Sequence, residues 1–120
     1  MQNYRRLQVW RKAHAVALNV HWLTERISRR GSAGLIGQIR RAALSIPANI
    51  VEGSNRATDA DFARFLQIAL ASATELEYHL EFAADTATIT RLDFRARQLE
   101  IIEVRRMLTG LLRRVRLTSP

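Results

Sequence analysis

The sequence runs to 120 residues, 48% of them apolar, with no cysteine and nineteen basic side chains against eleven acidic, a net charge of +8. That supplies one buried core and leaves no room for a second; it excludes a disulfide scaffold and a thiolate metal site and suits a reducing compartment. Met1 to Arg6 is polar and basic, and no apolar stretch approaches the roughly 20 residues of a membrane span, so a cytoplasmic protein without a membrane anchor is expected.

Four segments carry helical periodicity and none reads as a strand. In the first, Val9, Ala13, Val16, Val20, Leu23 and Ile27 step by four and three, which predicts a helix over about 6–28. It stops at Arg29-Arg30-Gly31-Ser32, a turn. Leu35, Ile39, Ala42, Ile46 and Ile50 place the second helix at about 33–53, and Pro47 inside it predicts a kink or a break. Thr58 and Asp61, at N-cap and N3 spacing, open the third, about 59–87. Its stripe runs from Phe62 through Leu66, Ala69, Ala73, Leu76, Leu80 and Ala83 to Ala87, with a small-residue middle that lets a neighbour approach. The fourth spans about 91–116 through Phe94, Ile101, Val104, Leu108, Leu111 and Val115. Short connections make consecutive helices antiparallel, so the predicted fold is all-α, a single up-down-up-down four-helix bundle.

Charge is unevenly spread along the chain. Residues 1–56 carry ten basic and two acidic groups, residues 57–90 one and six, and residues 91–120 eight and three. An acidic third helix between basic flanks suits internal neutralisation or the docking of a basic partner.

The bundle offers no recognisable catalytic set. No Glu is followed by His three residues later, as carboxylate-bridged di-metal bundles require, and Glu75 with His79 forms a lone i,i+4 pair. His14 and His21 stand two turns apart, and no Arg precedes a histidine at the spacing of bundle-type ribonucleases. Five scattered glycines make no phosphate loop. No catalysis, metal or cofactor is expected.

Two sets of residues remain. A polar stripe on the second helix, Gln38, Arg41, Ser45, Asn49 and Glu52, faces acids of the third. Buried polar groups demand partners, so Arg40 or Arg41 should pair with Glu75 or Glu77 between helices or subunits; a ligand pocket at Asn49, Glu52 and Glu75 is the alternative. The candidate nucleic-acid contacts are Arg5, Arg6, Arg11, Lys12, Arg29, Arg30, Arg105, Arg106, Arg113, Arg114 and Arg116, since such groups bind phosphate without reading sequence. Tyr4, Trp10 and Trp22 are candidates for stacking on unpaired bases, although Trp10 abuts the apolar stripe.

Val9-Trp10-Arg11-Lys12-Ala13-His14, the run from Gln38 through Arg41, Ser45-Ile46-Pro47, Asn49 and Glu52-Gly53, and Phe62 to Ala69 with Ser72 and Glu75-Leu76-Glu77 carry a resemblance. Over residues 7–90 the chain resembles the four-helix-bundle proteins encoded in intervening sequences of bacterial 23S rRNA genes, and through them the accessory variability proteins of diversity-generating retroelements. The resemblance implies a homo-oligomer, a pentamer, without catalysis, and a partner that is RNA or an RNA-associated protein such as a reverse transcriptase or ribosomal protein. It assigns no chemistry to Arg41, Ser45, Asn49, Glu52 or Glu75. Arg29-Arg30-Gly31 departs from the family's first loop, where proline and acidic residues are usual.

Overall fold

The computed structural model describes residues 3–118. After a 3₁₀ turn at Tyr4–Arg6 come α1 (Gln8–Ile27), α2 (Ala33–Ser54), α3 (Asp59–Asp85) and α4 (Arg91–Thr118), with no strand among the described residues. The helices pack as an antiparallel bundle of 50 × 20 × 20 Å in which each helix lies against the next and α4 closes back on α1. The apolar stripes are buried as their spacing requires. Ile39, Ile46, Ile50, Leu66, Leu76, Leu80, Ile101 and Leu108 are fully enclosed, and Ala69 and Ala73 at the middle of α3 have no exposed surface. Among the described residues no helix is long and apolar enough to cross a membrane.

Local chemistry sets most boundaries. The side chain of Ser32 accepts the Leu35 amide at 3.0 Å, that of Thr58 the Asp61 amide at 3.1 Å and that of Thr90 the Asp93 amide at 3.0 Å, each satisfying an orphan donor of the first turn. Three details differ from expectation. The predicted start of the first helix is a separate 3₁₀ turn, because Asn3 caps Arg5 there and Leu7 returns to extended backbone. α2 continues through Pro47 to Ser54 without a break, its buried faces on either side of the proline held by Ile46 and Ile50. Gly53 lies within the helix, as the expected bounds place it: a Cβ there would lie 2.8 Å from Phe65 Cβ and 3.0 Å from Phe62 Cδ1, so only glycine admits α3 this closely.

The third difference is the end of α3. Ala87, expected in the apolar stripe, is exposed and has φ 59°, the left-handed conformation. Its amide donates to Ala84 O at 3.0 Å and that of Thr88 to Ala83 O at 2.8 Å, which closes the helix with an alanine where glycine is the usual residue. The chain then turns Ile89 into the core, 4% exposed.

Candidate nucleic-acid interface

Two cross-helix hydrogen bonds mark the middle of the rod: Ser45 Oγ to Ser72 Oγ at 2.9 Å, and Asn19 Nδ2 to Glu100 Oε2 at 2.8 Å. Dividing each helix at that level separates the charge. Residues 3–18, 45–72 and 103–118 form one half, with eleven basic residues against four acidic, a net +7. The other half, residues 19–44 and 73–102, has eight against seven, a net +1. Antiparallel topology thus brings the start of α1, the α2–α3 turn and the end of α4 together into a basic pole.

The halves also differ in pairing. In the neutral half Arg26 meets Asp93 at 3.5 Å, Arg40 meets Glu25 at 2.9 Å, Arg91 meets Asp85 at 2.7 Å, Arg97 meets Glu100 at 3.1 Å, and Arg41 is bound to Glu75. At the basic pole Arg5, Arg6, Arg11, Lys12, Arg113, Arg114 and Arg116 have no carboxylate within ion-pair distance among the described residues. All seven are exposed.

Of the expected contacts, Arg29 and Arg30 are exposed but lie at the opposite end, past the close of α1. Arg105 leaves the set for another reason: it reaches across to Glu77 on α3, and both side chains are mostly covered. Burial raises the Glu77 carboxyl, but the hydrogen bonds from Arg105 and Gln98 and the Arg105 charge outweigh it, and its pKa falls below the ordinary carboxylate value. Arg106 is at the pole, tied to Glu103 at 2.8 Å. Two polar residues absent from the expected set join it. Arg56 and Arg64 place their guanidinium carbons 4.9 and 4.5 Å from the Phe65 ring centre, one from each side of the α2–α3 turn, while pairing with Glu52 and Asp61. Only the antiparallel register brings Arg64 into one groove with Arg116.

Grooves follow the pole's seams. One, about 560 Å³, runs between the start of α1 and the second half of α4 and is lined by Arg6, Arg106, Gly110 and Arg114. A second, about 520 Å³, separates the start of α3 from the end of α4 and carries Arg64 and Arg116. α1 begins here at Leu7 with no capping side chain and no acid in its first turn, which leaves its positive end uncompensated. The aromatic residues are already engaged: Tyr4 meets Trp10 edge-on at 5.0 Å, and Trp10 stacks on His14 at 4.9 Å. Trp22 is 62% exposed but stands in the neutral half.

The polar stripe knits α2 to α3. Gln38 accepts from Arg41, Arg41 holds Glu75, and His79 Nε2 stands 3.5 Å from that same carboxylate. Asn49 donates to Ser45 O at 2.7 Å and to Ser45 Oγ at 3.0 Å, and Glu52 turns away to Arg56. Arg40 pairs with Glu25 and donates to the buried Thr24 hydroxyl at 2.7 Å, not to α3. Asn49, Glu52 and Glu75 thus each hold a different partner along the stripe.

Residues 5–110 match the 23S rRNA-intervening sequence protein family. The chain belongs to that family. The match spans the basic start of α1, the polar stripe and all but the last turns of α4. Among solved structures, a protein of unknown function from the S23 ribosomal protein family of Bacteroides thetaiotaomicron is 30% identical, with a TM-score of 0.82 over 87% of this chain and 97% of that one. No curated protein matches the chain. Membership in the 23S rRNA-intervening sequence protein family fixes the bundle and leaves the use of its basic pole to be argued from the pole itself.

Proposed function

We propose that this protein is a non-enzymatic, homo-oligomeric binding module whose basic pole takes RNA through its phosphates. The observation that carries the reading is the gathering of seven exposed basic side chains, each without a carboxylate partner among the described residues, in one half of the molecule. Solvated arginines at that density release counterions from a polyanion and bind it without reading its bases. A partner for the acidic third helix is the weaker reading. Glu75, Glu77 and Asp85 are committed to Arg41, Arg105 and Arg91, so α3 offers a basic partner little free charge. Large apolar side chains left exposed on all four helices, including Leu44 at 66%, Tyr78 at 60% and Leu92 at 81%, suit burial between copies. The family resemblance favours a pentamer for this assembly, which would carry five times +8 or about +40.

Titration of nuclease-treated protein against a structured RNA, read by fluorescence anisotropy, tests the reading. With six to ten phosphate contacts, affinity should fall about a thousandfold or more between about 50 and 200 mM salt. No binding at the lower salt would sink it. Light scattering on the same sample should return about five chain masses; a stable monomer overturns the assembly.

A further inference from the structure

We infer that the groove between the start of α1 and the second half of α4 is the phosphate-binding site for an RNA backbone; this rests on the reading of the pole as an RNA surface and says where on it the chain lies. The groove, about 560 Å³, is walled by Arg6 from the 3₁₀ turn and by Arg106 and Arg114 from α4. Arg106 and Arg114 are eight residues apart on one helix, about 12 Å along its axis. Their spacing suits successive phosphates of a strand better than a single anion. Midway between them Gly110 has no side chain, and a Cβ built there would meet only Arg114 Nη1 at 4.0 Å, so the floor stands open between the two guanidinium groups.

The groove carries its own brake. Glu103, the one acid in its lining, holds Arg106 through bonds of 2.8 to 3.1 Å. Three arginines against this carboxylate give the groove +2, and a phosphate must compete with Glu103 for Arg106. Neutralising Glu103 raises the groove to +3 and frees that guanidinium, which makes a gain of binding a test that a misfolded variant cannot imitate.

The experiment compares charge-matched variants of the full chain on a labelled oligouridylate of about 20 nucleotides. Arg6→Gln with Arg114→Gln should weaken binding about tenfold or more at low salt and lower the salt slope by about 1.4, the share of two phosphates of a single strand. Arg29→Gln with Arg30→Gln removes the same charge from the far end and should cost less than about threefold. Glu103→Gln should tighten binding, while Glu81→Gln, an exposed acid of the neutral half, should leave it unchanged. Equal losses in the two double variants, or no gain from Glu103→Gln, overturn the groove and leave RNA binding standing. A wild-type chain that ignores the oligonucleotide overturns both. Excess uridine monophosphate should displace little; full displacement would reassign the groove to a mononucleotide.

Discussion

The two halves of the bundle share one apolar core and diverge in how their charges are disposed. In the neutral half five of the eight arginines have a carboxylate partner, as Arg26 has Asp93 and Arg41 has Glu75. At the basic pole the cations face water. Exposed pairs contribute about 0–1 kcal/mol each, so stability does not explain the difference. A solvated cluster of like charge is a mild liability in a monomer, and an asset only toward a polyanion. The contrast teaches that the arginines of this chain serve two purposes, registering helices at one end and presenting charge at the other.

The strongest way to break the contrast is to erase it. Arg113→Glu, Arg114→Glu and Arg116→Glu together change the pole from +7 to +1 and match the other half. RNA affinity at low salt should fall about a hundredfold or more. The melting temperature, followed by circular dichroism, should drop by only a few degrees, since all three side chains are exposed. Retained affinity would place binding elsewhere.

The turns at the two ends give the next effects, and they run in opposite directions. Gly53→Ala, behind the basic α2–α3 turn, drives a methyl to 2.8 Å from Phe65 and should destabilise by about 1–2 kcal/mol net, overpacking outweighing the gain in helix propensity. Gly110→Ala, also in a helix but open to solvent, should stabilise by about 0.5–1 kcal/mol. At the neutral end Ala87→Gly relieves a left-handed alanine and should stabilise by about 0.5–1 kcal/mol, even after the added freedom of the unfolded chain. Urea denaturation resolves all three, and a destabilising Ala87→Gly would refute the strain there.

The smallest effect sits where the halves meet. Because the Glu77 pKa is depressed in the fold, its stabilisation is complete above the unfolded value of about 4.3 and is lost as pH falls through the folded one. Glu77→Gln should therefore narrow its deficit relative to wild type below about pH 4, measured by urea melts at stepped pH. A deficit that stays constant with pH would assign Glu77 to packing alone.

The fold was legible because each helix repeats apolar residues at three and four, and because Thr58 caps the third helix where its spacing to Asp61 says it should. Ala87 was misplaced, since an alanine in left-handed backbone has no sequence signature and looks like one more apolar step. Candidate site residues were half legible. The basic side chains are plain in the sequence, but counting them in chain order yields an acidic block between two basic ones, whereas the bundle redistributes them into a pole and a neutral half. Arg29 and Arg30 look identical to Arg113 and Arg114 until topology sends them to opposite ends. Arg105 looks free until α3 supplies Glu77. Pairing across helices depends on register, which hydrophobic spacing constrains to a face and not to a particular partner.

The 50 × 20 × 20 Å rod carries its excess charge in one half. At physiological ionic strength the field of a charge decays over about 8 Å, far less than the length of the bundle, so that half alone would attract a polyanion from a distance. A strand lying in the α1–α4 groove, as proposed, would run along the axis of that half and leave the far end of the rod clear. There the α1–α2 and α3–α4 loops, with Gly31 packed against Thr88, form a second platform, held away from the first and free to be met by something else.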